Sequence, residues 1–187
     1  NNAVSYKKGA SGFSRSSYDT AVYIPEYYFR IVDDATNKKR YFYIADKAKS
    51  GFTKHPGSGK YVGRYNTISG YYSKTGSKPL ANITRATART NSKNKGSKWG
   101  QYDFASWCAV WLLYLVEFAD WNSQSVIGIG ICGSSSMANT GGTDSMNYHT
   151  GTAASSRTTA GAVQYRNIEN PWGNIWEWID GVNFSDG

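Results

Sequence analysis

The sequence predicts an α+β domain with two helices and short, mostly antiparallel strands set in long loops, and three stretches carry that expectation. Phe104, Trp107, Cys108, Trp111, Leu112, Leu115 and Phe118 recur at three- and four-residue steps, the period of a helix that buries one face. Ala21 to Val32 and Arg40 to Ala45 are rich in β-branched and aromatic residues and are parted by Asp33-Asp34-Ala35-Thr36-Asn37-Lys38-Lys39, the pattern of a strand hairpin. Between such runs lie polar stretches rich in Gly, Ser, Thr and Asn, which read as loops.

Taken in order, residues 1–20 have no hydrophobic period and read as a linker or arm, and residues 21–187 read as one domain. The hairpin follows, then turn chemistry at Pro56-Gly57-Ser58-Gly59 and a short strand at Lys60-Tyr61-Val62-Gly63-Arg64-Tyr65. Thr84 to Lys95 lacks Gly and Pro, begins with a residue suited to N-capping and stops at Gly96. We expect a polar, solvent-facing helix there. The aromatic helix, residues 101–120, anchors the core, since each large side chain it buries is worth roughly 1.5–3 kcal/mol. Residues 123–159 run longer than the roughly 12–15 residues usual for a structureless loop, so short strands or a functional surface are expected within them.

Composition bounds the possibilities. A chain of 187 residues that is 40% hydrophobic and 16% aromatic is too apolar to stay disordered, and no run approaches the roughly 18–20 apolar residues of a membrane span. Residues 1–98 hold 19 Lys/Arg against 5 Asp/Glu and residues 99–187 hold 2 against 8, giving +14 and −6 and hence the overall +8. The cations are scattered singly through turns rather than clustered, which favours a solvated face over a nucleic-acid site. Cys108 and Cys132 lack zinc-site spacing and read as two free thiols. No heptads or internal repeats of fibre-shaft type occur.

The most specific stretch is Asn170-Pro171-Trp172-Gly173-Asn174-Ile175-Trp176-Glu177-Trp178. Read without any family in view it is a turn opened by Asn-Pro, closed at Gly173, and running into an aromatic core strand with Trp176 and Trp178 on one face.

That stretch resembles the Gly-Asn-x-Trp-Glu-Trp signature of the formylglycine-generating enzyme superfamily, a variant of the C-type lectin fold. Weaker likenesses follow in the right order at Tyr61–Tyr65, Pro79–Thr84 and Ala105-Ser106-Trp107, so the resemblance covers about residues 60–187. Asp103 to Gly128, Thr143-Asp144-Ser145-Met146 with Tyr148-His149-Thr150-Gly151, and Gln164 to Gly181 further resemble tail proteins of phages and prophages of Gram-positive bacteria, related to the variable proteins of diversity-generating retroelements. The resemblance implies a C-type-lectin-like domain, cut short at its C-terminus, that displays a ligand-binding surface in a virion. Its expected partners are a carbohydrate or protein receptor on the host bacterium and other phage tail proteins. A homotrimer suits a tail fibre, its trimerising element lying outside this segment; neither nucleic acid nor membrane insertion is expected.

The same resemblance bears on chemistry. The family's enzymes oxidise a cysteine with copper held by a cysteine pair downstream of the Trp-Glu-Trp segment, and neither Cys108 nor Cys132 matches those positions. No catalytic cofactor and no catalytic residue is therefore expected, and the alternatives are an oxidase of that type lacking its catalytic segment or a structural tail or baseplate decoration. His55 and His149 read as loop histidines, and nothing selects a catalytic pair among Glu117, Asp120, Asp144, Glu169 and Asp180. The family holds calcium around the signature turn. By resemblance the ligands here are the Asn170 side chain, the Gly173 and Ile175 carbonyls and the Glu177 carboxylate, oxygen donors of the kind calcium takes. Without calcium, Asn170 caps the turn and Glu177 pairs with an arginine such as Arg166.

Overall fold

The computed structural model describes residues 6–132 and 136–183. It is an α+β arrangement of small antiparallel sheets around one long helix. The elements are β1 (Ala21–Ile24), β2 (Tyr28–Asp34), β3 (Lys39–Ala45), β4 (Thr53–Lys54), β5 (Lys60–Gly63), α1 (Arg85–Asn94), α2 (Phe104–Phe118), α3 (Ser123–Val126), β6 (Gly151–Thr152), β7 (Val163–Tyr165) and β8 (Ile168–Glu169). The strands form three antiparallel sheets, ordered β1-β5, β3-β2-β4 and β6-β7-β8. None of the described helices is long and apolar enough to cross a membrane.

The first run of apolar residues, read as one strand, is two. Pro25 has no N–H to give a ladder, and the chain breaks at Pro25-Glu26-Tyr27 so that β1 pairs with β5 while β2 turns to β3. The hairpin is therefore Tyr28 to Ala45, with Ile31 opposite Phe42 and Phe29 opposite Ile44. Phe29, Phe42 and Ile44 share one face and pack on the core, as the two-residue period of a strand requires.

Both long helices stand close to their expected bounds. Thr84 accepts a hydrogen bond from the Thr87 N–H at 3.1 Å and starts α1, which buries none of its residues. Asp103 accepts from the Ser106 N–H at 2.6 Å and starts α2, which ends at Ala119 in the left-handed conformation, φ 50°. The buried face of α2 differs from the expected one. Ala109, Leu112, Leu113, Tyr114 and Leu115 are buried, whereas Phe104 is exposed and Trp107 and Trp111 are half-buried. The aromatic stripe is satisfied largely by itself. Phe104 lies parallel to Trp107 with ring centres 5.9 Å apart, Trp107 to Trp111 at 6.3 Å, and Phe42 meets Trp111 edge-on. Such aromatic pairs are favourable beyond their buried area, which lets the stripe remain at the rim.

The long polar stretch hides two small elements, the single turn α3 and the strand β6. Residues 6–20 contain no helix or strand, but from Arg15 onward they are tied to the body. The Thr75 N–H donates to the Arg15 carbonyl, Asp19 pairs with Lys95 at 2.8 Å, and Arg15 reaches the Asp144 carbonyl. The arm is docked over that span.

Candidate functional site

The Trp-bearing turn is held by backbone conformations that a strand would not allow. Asn170, Gly173 and Asn174 all have positive φ, at 47°, 77° and 66°. A Cβ on Gly173 would come within 3.0 Å of the Ile131 amide nitrogen, so close approach to the neighbouring chain also demands glycine there. Residues 171–179 consequently form turns and irregular backbone rather than the expected core strand. Trp172 alone points inward, packing on the core with its indole N–H on the Gly128 carbonyl at 3.0 Å. Trp176 is fully exposed and Trp178 is 53% exposed, its indole N–H bound to the Ile83 carbonyl at 2.8 Å.

The turn and the aromatic helix are neighbours. Asp180 lies beside Asp103 in a parallel bridge, the Phe104 N–H donates to the Asp180 carbonyl at 2.8 Å, and the Gln101 amide donates to the Trp178 carbonyl at 2.7 Å. Arg89 on α1 grips the Asp180 carboxylate through two nitrogens. These contacts join pieces of chain roughly 75 to 90 residues apart, and a bidentate Arg–carboxylate pair adds geometric definition as well as attraction.

The proposed calcium ligands occupy this turn in different states. Asn170 is 2% exposed; its N–H donates to the Val163 carbonyl and its Oδ1 accepts from the Val163 N–H at 3.1 Å, so it caps the approach to β7. The Gly173 carbonyl accepts from the Ile175 N–H at 2.8 Å. Glu177 counts as an exposed residue, but its carboxylate turns inward to accept from the amide of the buried Asn66, and Asn66 in turn accepts from Asn174 at 3.3 Å. Burial pushes the Glu177 pKa up to about 7 against the opposing effect of the Asn66 bond. Glu177 does not pair with Arg166. That arginine binds Glu117 at 2.8 Å. The four groups are oxygen donors of the kind calcium takes, and among the described residues no cation pairs with Glu177, the one formal charge in the set. Among the described residues no group of three or more His, Cys, Asp or Glu is placed to hold a metal.

The carboxylates named from sequence are engaged elsewhere. Glu117 is bound by Arg166 and Tyr165, Asp120 accepts from the Asn122 N–H, and Asp180 is held by Arg89. Asp144 and Glu169 do come together, around the buried Arg64. The guanidinium donates to the Gln164 and Thr143 side chains at 3.1 and 3.0 Å and pairs with Asp144 at 3.1 Å. Glu169 accepts from the Gly141 and Thr143 N–H groups and the Thr143 hydroxyl. Tyr65, Thr75 and Arg15 complete the shell of Asp144. Each carboxylate already has its donors, so the cluster is a latch for the loop over residues 140–150 and not an acid–base pair open to substrate.

The histidines part company. His149 is exposed and touches Thr150. His55, expected in a polar loop, is buried between the rings of Tyr27 and Phe29, with centres 5.2 and 5.0 Å away, because the Pro56-Gly57-Ser58 turn presses it onto the hairpin. Both thiols are free. Burial raises the Cys108 pKa, which lowers its nucleophilicity at neutral pH. The side-chain partnerships of Arg64, Asn66 and Gln101 were not legible in the sequence, because their partners lie about 80 to 110 positions along the chain.

Large exposed aromatic side chains are spread over the surface: Tyr148 at 80% exposure, Tyr61 at 73%, Trp121 at 68%, and Trp176. Compared with protein-family models, curated proteins and solved structures, the chain gives no match.

Proposed function

We propose that the chain is a non-catalytic receptor-binding module of a phage tail, a C-type-lectin-like scaffold of the formylglycine-generating-enzyme type that attaches the virion to a bacterial surface. The observation that carries this reading is Trp176, a fully exposed indole on a turn whose backbone is fixed by Asn170, Gly173 and Asn174 and anchored beneath by Trp172. An indole offers a large contact area at low entropic cost because only two side-chain torsions are lost when a ligand covers it, so an exposed tryptophan on a fixed backbone favours association. The sequence likeness at Asn170–Trp178 supports the same reading, as does the close joining of that turn to the aromatic helix. The Asp144 and Glu169 latch, saturated with donors, supports a display role rather than catalysis.

Calcium belongs to this proposal as a structural ion. Glu177, the Asn170 side chain and the Gly173 and Ile175 carbonyls would hold it. The ion would supply positive charge to the Glu177 carboxylate and tie the turn together. Its expected partners remain a host receptor of carbohydrate or protein and neighbouring tail proteins, with the virion as its location.

The test is retention of fluorescently labelled protein on a panel of Gram-positive cells, with cells stripped of surface glycopolymers alongside. Saturable, strain-restricted retention supports the module. Absence of retention on every strain tested, with the protein folded, contradicts it.

A further inference from the structure

Beside the first turn of α2 the surface opens into a cavity of about 390 Å³ lined by Phe29, His55, Pro56, Asp103, Phe104, Ala105, Cys108 and Gly181. Its size falls in the roughly 300–1,000 Å³ range of small-molecule sites. The feature that singles it out is His55, 6% exposed and locked in place. The His55 N–H donates to the Tyr27 carbonyl at 3.0 Å and its carbonyl accepts from the Ser58 hydroxyl at 2.8 Å. Gly57 lets the turn press against α2 so closely that a Cβ would sit 1.9 Å from the Ala105 carbonyl oxygen.

The Gly57 backbone N–H donates to His55 Nδ1 at 3.1 Å. A backbone N–H can only donate, so Nδ1 accepts and the neutral ring carries its proton on Nε2. No acceptor in the protein takes that second N–H among the described residues. The fully enclosed unpaired polar side-chain atoms belong to Arg15, Arg64, Gln101 and Tyr114, not to His55. Nε2–H therefore opens on the cavity its ring lines, a fixed donor waiting for an acceptor.

The other walls limit what that acceptor belongs to. Phe29, Pro56, Phe104 and Ala105 offer apolar faces. Asp103 brings a carboxylate whose oxygens are already engaged, Oδ1 by the Ser106 N–H at 2.6 Å and Oδ2 by Lys60 at 3.2 Å. An anion would meet the Asp103 carboxylate, and a purely apolar ring would leave the histidine N–H unpaired. A ring with C–H faces and neutral hydroxyls satisfies both kinds of wall.

We infer that this cavity is a subsite for one neutral sugar ring, with the His55 Nε2–H donating to a ring hydroxyl and Phe104 covering a C–H face. The inference rests on the adhesive reading and deepens it by naming the ligand class. The test is NMR titration of the full chain with D-glucose, D-galactose and N-acetyl-D-glucosamine, following the His55 imidazole nitrogens and the Phe104 ring, with cyclohexanol as a ring bearing a single hydroxyl. At least one sugar is expected to give a saturable shift at both residues. Phe104→Ala, with its folding checked by melting, is expected to weaken that sugar at least tenfold, and His55→Ala to abolish its binding. No saturable shift at His55 with any of the three sugars, or cyclohexanol binding as well as the best of them, overturns the assignment. Cell retention measured in parallel separates the two levels: Phe104→Ala protein that still adheres like the parent overturns the subsite while leaving adhesion intact, whereas sugar binding without cell retention overturns adhesion alone.

Discussion

Arg64 is buried with a full charge, and the fold has gathered Asp144, Thr143, Gln164 and the Asn167 carbonyl around it. Removing one partner of such a buried pair strands the other, at a cost of about 3–5 kcal/mol, so Arg64→Leu is expected to lower the melting temperature more than any surface change. Asp144 reports the same cluster through pH. Burial alone would raise its pKa, but hydrogen bonds from Tyr65, Thr75 and Arg64 and the charge of Arg15 outweigh that and hold it below the ordinary 3.8. A depressed carboxyl pKa stabilises the fold above the unfolded value and loses that contribution as pH falls through the folded value. Asp144→Asn is therefore expected to flatten the dependence of stability on pH below about 4 while lowering stability at pH 7; a variant whose acid limb matches the parent contradicts this role. None of these partners was legible locally. Arg64 meets its ligands about 80 to 100 positions downstream, and a sequence read in windows does not see such pairs.

At the scale of elements the legible parts are those set by local chemistry. Thr84 and the Gly-free run behind it gave α1, and the three- and four-residue aromatic spacing gave α2 to within a few residues at each end. The face of α2 was less legible, because Trp107 and Trp111 stack on each other instead of entering the core, and periodicity records apolarity without saying what will cover it. Trp111→Asp remains expected to abolish folding into soluble protein, since a carboxylate would replace the ring that meets Phe42 and Trp121. The strand expected at Trp176 and Trp178 failed for a reason visible only in three dimensions: three positive-φ residues in five positions bend the chain away from any ladder. The end of α2 offers a cleaner test. Ala119 occupies the left-handed cap position that favours glycine, so Ala119→Gly is expected to raise stability by about 0.5–1 kcal/mol in denaturant unfolding, and a loss would show that the cap is not strained. For the signature turn, chelator is expected to lower the melting temperature and added calcium to restore it, with Glu177→Gln erasing the difference. An unchanged melt in chelator removes calcium from the account.

Across the whole molecule, the α+β class with short antiparallel strands was legible from composition and period, whereas the joining of the Trp-bearing turn to α2 is seen only in the folded chain. The arrangement of three small sheets was not legible either, because Pro25 divides the first strand and the β7–β8 turn uses Arg166 and Asn167, both at positive φ, where the Asn-Gly usual for such hairpins is missing. The charge division between the two halves also changes meaning once folded, since Lys60, Arg64 and Arg89 from the basic half meet Asp103, Asp144 and Asp180 from the acidic half. What results is a body fixed by buried polar latches and a rim of exposed aromatics, the combination on which the adhesive reading stands. The most direct measurement of the proposed adhesion is competition for phage adsorption: purified protein added to Gram-positive cells before a phage whose genome encodes the chain, with Trp176→Ala beside it. A fully exposed side chain contributes within about 0.5 kcal/mol to stability, so the variant stays folded. The account predicts that the parent protein reduces adsorption in a saturable way and that Trp176→Ala competes several-fold less well; adsorption untouched by saturating amounts of folded parent protein would contradict it.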